Sequence, residues 1–142
     1  RLHEVLGAGG TAKVYRGTVQ HVTVAVKVYM VTGESAADAA WRQHVVDLLA
    51  AHRHAHAHIV SLFAQRTWPR DEQVHVYMQY VPRTLRDEMS SVLRLDVVAR
   101  TALLAQLADA VAFLHTRVRL AHADVKSENV LVEQCTSLGY TG

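Results

Sequence analysis

The chain has 142 residues, half of them hydrophobic and a fifth charged, which is the composition of one globular domain and not of a disordered segment. Its net charge of +2 is too small to argue for a nucleic acid or an anionic membrane as a partner. The apolar runs are only a few residues long, so the sequence predicts no membrane span and no signal peptide.

The first thirty residues have the pattern of strands around a glycine cluster. Apolar and other residues alternate over 21–28, with valine at every second position, which is the period of a strand. Before them, the cluster of Gly7, Gly9 and Gly10 is flanked by strand-like residues and predicts a strand, a tight loop and a second strand. Glycine lets backbone amides approach phosphate oxygens, so this loop is a candidate nucleotide-binding loop. A Rossmann or P-loop site would instead open a helix there.

The rest of the chain alternates between helical and extended patterns. A helix is predicted over 36–53, with Ser35 as its cap, followed by strands over 59–68 and 73–81. A second helix is predicted over 96–115 with Asp96 as its cap, and 130–132 reads as a short buried strand. The apolar face of the second helix is predicted to hold Leu103, Leu104, Leu107, Val111 and Leu114.

The segment His122–Asn129 carries the strongest chemical signal. It sets Asp124, Lys126 and Asn129 within six residues, directly after the second helix. Phosphoryl transfer needs such a set: an aspartate to orient the attacking hydroxyl, a lysine to balance phosphate charge and an asparagine to hold a divalent metal.

This octapeptide resembles the catalytic loop of eukaryotic-type protein kinases, with Ala123 where that family usually has arginine. The glycine loop, the stretch 24–27 and the stretch 76–82 resemble the glycine-rich loop, the lysine strand and the hinge of the same family. The resemblance implies an α+β, protein-kinase-like fold. An antiparallel five-stranded sheet with one main helix would occupy about 1–81, the small lobe, and the hinge and beginning of the helical large lobe would occupy 82–142.

The resemblance also implies ATP and Mg²⁺ as cofactors and a protein as substrate. Asp124 would be the catalytic base, Lys126 would steady the transferred phosphoryl group, and Asn129 would bind the metal. Lys27 would pair with phosphates, and the backbone of Gln79 and Val81 would bind adenine. The full set implied for the nucleotide is Leu6, Gly7, Ala8, Gly9, Gly10, Val14, Ala25, Lys27, Met78, Gln79 and Val81.

Lys126 with the following Ser127 and Glu128 resembles the serine/threonine pattern, so the resemblance implies an ATP-dependent protein serine/threonine kinase. The alternative is a pseudokinase that binds nucleotide or acts as a scaffold. It is favoured by Ala12 in place of a third glycine, by Ala123, and by the absence of a clear acidic partner for Lys27. The candidate partner acids are Asp47, which lies off the apolar stripe of its helix, and Glu34 and Asp38, which come early.

The magnesium-binding Asp-Phe-Gly motif of the family is not visible. Either the chain ends just before it, or 138–142 is a degenerate copy with Tyr140 in place of the aspartate, and tyrosine cannot replace a carboxylate on magnesium. The isolated chain is therefore expected to lack kinase activity. The single cysteine, Cys135, excludes an internal disulfide and fits a reducing compartment, which predicts a cytoplasmic location.

The chain also carries alternating histidines, which favour one further alternative. On a strand they would line one face and could bind zinc or nickel. The other interpretation is a polar connection between a helix and a strand. The residues concerned are His52, His54, His56 and His58.

Overall fold

The computed structural model describes residues 1–9, 12–30, 55–68 and 73–133. The predicted helix over 36–53, with Glu34, Asp38 and Asp47, lies outside the described residues. So do Gly10, His52, His54, Cys135 and Tyr140.

Five strands form one antiparallel sheet in the order β1-β2-β3-β5-β4. This sheet, followed by a helical region, confirms the predicted α+β class and its five-stranded sheet. The boundary between lobes near residue 81 stays a prediction. The strands are β1 (Leu2–Ala8), β2 (Ala12–Val19), β3 (Val22–Met30), β4 (Leu62–Trp68) and β5 (Gln73–Gln79).

A two-residue turn joins β2 to β3. Val19 pairs with Val22, and the two residues between them, Gln20 and His21, have φ angles of 47° and 68°. Two positive φ angles define the primed turn that matches the twist of antiparallel strands. Neither residue is a glycine or an asparagine, so nothing in the sequence marks this hairpin.

The core of the sheet lies on both faces of β3. On one face Val24, Val26 and Val28 are buried and pack with Tyr15 and Tyr77. The opposite face buries a second cluster, and Ala25 is buried there too, so β3 is covered on both sides. That second cluster consists of Tyr29 and Val76, with Ala12, Leu62 and Met78 packed against them.

Two strands are shorter than predicted. β4 begins at Leu62 and not at residue 59, because the chain first makes a turn in which the backbone N–H of Ile59 donates to the carbonyl of His56. β5 ends at Gln79 and not at residue 81, because the chain leaves the sheet there. We call 80–82 the linker and 83–88 the post-linker segment.

The second half of the described chain contains a short helix, α1 (Met89–Val92), and a long helix, α2 (Val97–Phe113). Asp96 caps α2 as predicted, since its Oδ1 accepts from the N–H of Ala99 at 2.7 Å. A π-helical turn, Leu114–Val118, continues α2 until Arg119, whose φ of 62° ends it.

The predicted apolar face of α2 is correct except for Leu104. Leu114 is buried, and Leu103 is half-buried, but Leu104 is 66% exposed. Adjacent helical residues point about 100° apart, so Leu104 cannot share the buried face with its neighbour.

The predicted strand over 130–132 is a single bridge between Thr84 and Leu131. The N–H of Leu85 donates to Val130 at 2.7 Å, and the N–H of Val132 donates to Arg83 at 3.0 Å. Residues 130–132 are half-buried. The pairing joins the post-linker segment to the end of the candidate catalytic loop.

Candidate active site

Asp124 is the centre of a compact polar cluster. The Nζ atom of Lys126 lies 2.9 Å from Oδ2 of Asp124. The side-chain amide of Asn129 donates both to that oxygen and to the backbone carbonyl of Asp124, at 2.8 Å each. The structure therefore brings together the three residues that the sequence singled out for phosphoryl transfer.

The backbone of the loop produces this cluster by two local features. Ala123 has a φ of 58°, which turns the chain sharply, and the N–H of Asp124 then donates to Nδ1 of His122 at 3.3 Å. The 3-10 turn Ser127–Asn129 follows, and the N–H of Asn129 donates to Lys126 at 2.9 Å. A left-handed alanine costs about 1 kcal/mol, so the surrounding contacts must hold the turn in place.

The pKa of the Asp124 carboxyl is lowered below its ordinary value. The largest cause is the hydrogen bond from Lys126, and the second is the hydrogen bond from Asn129. Both side chains of the ion pair remain about half exposed, at 62% for Asp124 and 51% for Lys126. The carboxylate is thus ionised at neutral pH and accessible to a substrate.

The same cluster offers oxygen atoms to a metal. Both hydrogen bonds from Asn129 use Nδ2, which leaves its Oδ1 as a second oxygen beside the Asp124 carboxylate. Oxygen ligands suit Mg²⁺, which usually takes one or two protein ligands together with phosphates and waters. In the described part of the chain no three His, Cys, Asp or Glu side chains could hold a metal together. The donor set therefore fits magnesium carried with a phosphate, and not a metal held by protein ligands alone.

Four of the residues implied for the nucleotide share one face of the sheet. Val14 pairs with Lys27, and Ala25 pairs with Met78. Residues directly paired across antiparallel strands, and residues two apart on one strand, lie on the same face. The Lys27 ammonium lies over the ring of Tyr29, at 5.1 Å from its centroid, which gives the cation a local partner.

The glycine loop lies at the end of this face. Gly7 pairs with Val14, and a Cβ atom added at Gly7 would meet no atom within 4 Å. The space beside Gly7, at this end of the face, is therefore open. The N–H of Gly9 donates to the carbonyl of Ala12 at 2.9 Å, which closes the strand-loop-strand arrangement and excludes the helix-opening one. Leu6 and Ala8 are exposed on β1.

Gln79 connects three parts of the chain. Its N–H donates to the carbonyl of Ser61 at 2.8 Å, and its side-chain Oε1 accepts from the N–H of Ser61 at 3.4 Å. Its Nε2 donates to Glu133 at 3.2 Å. Val81, two residues on, is half-buried. That the backbone of Gln79 and Val81 binds adenine stays a prediction.

The sheet face and the loop cluster remain separate groups. Among the residues that the structure describes, no hydrogen bond or ion pair joins Lys27 to Asp124, Lys126 or Asn129.

Two side-chain contacts between distant residues were not predicted from the sequence. Arg86 of the post-linker segment pairs with Glu128, and His56 pairs with Asp109 on α2. The two partners are 42 residues apart in the first contact and 53 residues apart in the second. No periodic pattern in the sequence connects residues at such distances, so the contacts are visible only in the folded chain. His56 therefore has a packing role, while the metal alternative for the histidine series stays a prediction because His52 and His54 are not described.

Comparison with known proteins agrees with this geometry. The model of the protein kinase domain family matches residues 1–138, so the chain belongs to the protein kinase domain family. The chain is also 29% identical, over 139 residues, to the "L-type lectin-domain containing receptor kinase VII.1" of Arabidopsis thaliana. That match covers 92% of this chain and 20% of the relative, so the chain spans about a fifth of the relative's length.

The long helix and the π-helical turn that continues it raise the question of a membrane span. Val97–Val118 is 22 residues long and apolar enough to cross a membrane, judged by length and composition. A core helix of a soluble protein passes the same test, so this is weak evidence for a span. The helix also lies inside the stretch matched to the kinase domain and pairs with His56 through Asp109. The absence of a membrane span stays a prediction.

Proposed function

We propose that the protein containing this chain is an ATP- and Mg²⁺-dependent protein serine/threonine kinase. The observation that carries the proposal is the Asp124 carboxylate, held at one oxygen by Lys126 and Asn129 in a member of the protein kinase domain family. This arrangement puts an ionised base, a cation and an amide oxygen within a few ångströms of each other.

Each part of the site would have its own role in binding ATP or in the transfer. Lys27 and the backbone of the glycine loop would hold the phosphates of ATP, which supplies the γ-phosphoryl group when bound. Asn129, through Oδ1, would hold magnesium. Asp124 would accept a hydrogen bond from the substrate hydroxyl at its carboxylate and orient the oxygen for in-line attack on the γ-phosphorus. As the new P–O bond forms, the bond from that phosphorus to the bridging oxygen would break, ADP would leave, and Asp124 would take the hydroxyl proton.

Lys126 would balance negative charge on the transferred group. Its ammonium already lies 2.9 Å from Asp124, so it stands beside the point where the hydroxyl would approach. The serine/threonine assignment rests on the resemblance of Lys126, Ser127 and Glu128 to that pattern. The relative's name describes a receptor kinase, and we place the present domain in the cytoplasm, where ATP and protein substrates are available.

Phosphate transfer by the whole protein tests this proposal. With labelled ATP, magnesium and a generic protein substrate, the wild type is expected to label serine and threonine. Asp124→Asn is expected to lower kcat by about 10²- to 10⁴-fold, as loss of a general base does. Glu4→Gln, which removes an exposed acid on β1, serves as the control and is expected to keep wild-type turnover.

Two outcomes would contradict the proposal. Labelling confined to tyrosine would refute the serine/threonine class. Nucleotide binding with equal, background transfer by the wild type and Asp124→Asn would favour the pseudokinase alternative. Within the described residues, that alternative is supported by Ala12 in place of a third glycine and by Ala123 in place of the family arginine.

A further inference from the structure

The loop 121–126 is unusually exposed for a segment that must fix a reaction geometry. All six of its residues are exposed. Asp124 donates its N–H to His122 and accepts at its carboxylate from Lys126 and Asn129, and all three partners lie within five residues of it in the chain. These contacts shape the loop but do not attach it to the rest of the protein.

The attachment comes from the following residues. In the described ranges, the hydrogen bonds from 127–132 to other segments all run to residues 83–86 of the post-linker segment. The N–H of Arg86 donates to the carbonyl of Ser127 at 3.2 Å, and the N–H of Leu85 donates to the carbonyl of Val130 at 2.7 Å. Beyond them lies the strand bridge between Thr84 and Leu131. The position of the loop is therefore set by the chain that leaves the linker.

One side-chain pair strengthens this attachment at the 3-10 turn. Nη1 of Arg86 donates to Oε1 of Glu128 at 2.6 Å. The other carboxylate oxygen, Oε2, accepts from the Ser127 hydroxyl at 3.0 Å. Glu128 is the middle residue of a three-residue turn, so its neighbour is the candidate metal ligand Asn129.

Both contacts from Arg86 act on the same turn. One runs through its backbone N–H to the carbonyl of Ser127, and the other runs through its side chain to the Glu128 carboxylate.

We propose that Arg86 and Glu128 form a positioning pair that fixes the 3-10 turn, and with it Asn129 and Asp124, relative to the linker. The inference rests on the proposed kinase function for its effect on turnover. It goes beyond that function because neither residue belongs to the set implied for ATP, magnesium or the base. Neither needs to touch a substrate.

The test uses Glu128→Gln in the whole protein, because glutamine keeps the size and removes the charge. Amide hydrogen exchange of the peptide covering 127–130 is expected to become about 1.5-fold to fivefold faster, since loss of one exposed ion pair weakens local closure to about that extent. The kcat is expected to fall by a similar factor and the Mg²⁺ concentration for half-maximal rate to rise. The exchanged pair Arg86→Glu with Glu128→Arg is expected to recover part of both losses.

A matched control lies in the same segment. Arg83 pairs with Glu88, and both residues of that pair lie within the post-linker segment. Glu88→Gln makes the same chemical change in an arginine–glutamate pair that does not reach the loop. It is expected to leave kcat, the Mg²⁺ dependence and exchange at 127–130 unchanged.

The outcomes separate this inference from the proposed function. Unchanged exchange at 127–130 in Glu128→Gln would overturn it, and so would a lower kcat without faster exchange, because Glu128 would then act on the substrate directly. Equal effects of Glu88→Gln would also overturn it. If the wild type transfers no phosphate, the proposed function fails while the exchange data still decide whether the pair fixes the turn.

Discussion

At the scale of single residues, Asp124 depends on its neighbours for both its position and its charge. One of its oxygens accepts from Lys126 and from Asn129, and these two contacts lower its pKa. A carboxylate held in this way is ionised at neutral pH, but it is a weak proton acceptor. It suits orientation of a hydroxyl better than early proton removal.

We expect Lys126→Met to raise the pKa of Asp124 towards its ordinary value of 3.8, because the largest cause of the shift is removed. Carbon-13 NMR titration of the Asp124 carboxyl in the wild type and the variant measures this directly. The wild-type midpoint should lie below 3.8. A midpoint that is the same in both proteins would show that Lys126 does not hold the carboxylate.

The sign of the linked stability effect follows from the direction of the shift. A carboxyl whose pKa is lower in the folded state stabilises the fold above its unfolded pKa. That contribution disappears as the pH falls through the folded pKa. The pair should therefore matter at neutral pH and stop contributing in strong acid, and Lys126→Met should flatten this acid dependence.

At the scale of elements, the strands near the glycine loop use glycine in two different ways. Gly17 on β2 is buried, and a Cβ atom there would lie 3.0 Å from the Cγ2 atom of Val26 and 3.1 Å from the carbonyl oxygen of Arg1. A Cβ atom added at Gly7 on β1 would instead meet no atom within 4 Å. One glycine is required for packing, and the other has open space beside it.

We expect Gly17→Ala to destabilise the protein by about 1–3 kcal/mol, the usual cost of overpacking a core. Val26 is only 1% exposed and has little freedom to move aside. Gly7→Ala is the matched control for stability and should change the unfolding free energy by less than about 0.5 kcal/mol. Chemical denaturation of both variants checks this, and equal stability losses would contradict the packing account.

The elements also show what the sequence can predict. The cap of α2 at Asp96, the strand-loop-strand order around Gly7 and the β5 strand were predicted because each leaves a local pattern in adjacent residues. The β2–β3 hairpin was not marked because Gln20 and His21 adopt positive φ angles without the usual turn residues. The start of β4 was misplaced because the turn around His56 depends on hydrogen bonds that no period reveals.

At the scale of the whole molecule, side-chain contacts of His56 and Gln79 join the sheet half to the helical half outside the linker, within the part of the chain that the structure describes. His56, just before β4, lies 3.2 Å from Asp109, and its ring centroid is 4.6 Å from that of Phe113 on α2. Gln79 at the end of β5 donates to Glu133. These contacts and the Arg86–Glu128 pair fix the position of the sheet relative to the candidate catalytic loop. Their partners are far apart in the chain, so no local sequence pattern could predict them.

The His56 contact should owe more to packing than to charge. The His56 side chain is 14% exposed and Asp109 is 64% exposed, so water screens the ion pair. We expect His56→Ala to cost about 1–2 kcal/mol of stability through the lost ring contact and partial burial. Asp109→Ala should cost less than about 1 kcal/mol. Denaturation of both variants decides this, and a larger loss for Asp109→Ala would show that the ion pair dominates.

We propose above that Asp124, held by Lys126 and Asn129, serves phosphoryl transfer in this member of the protein kinase domain family. The most direct measurement compares turnover and ATP affinity of the whole wild-type protein with those of Asp124→Asn. We expect turnover to fall by about 10²- to 10⁴-fold, while ATP affinity stays within a factor of two or three of the wild type, because the residues implied for ATP lie mainly on the sheet. Wild-type turnover in Asp124→Asn would contradict the claim.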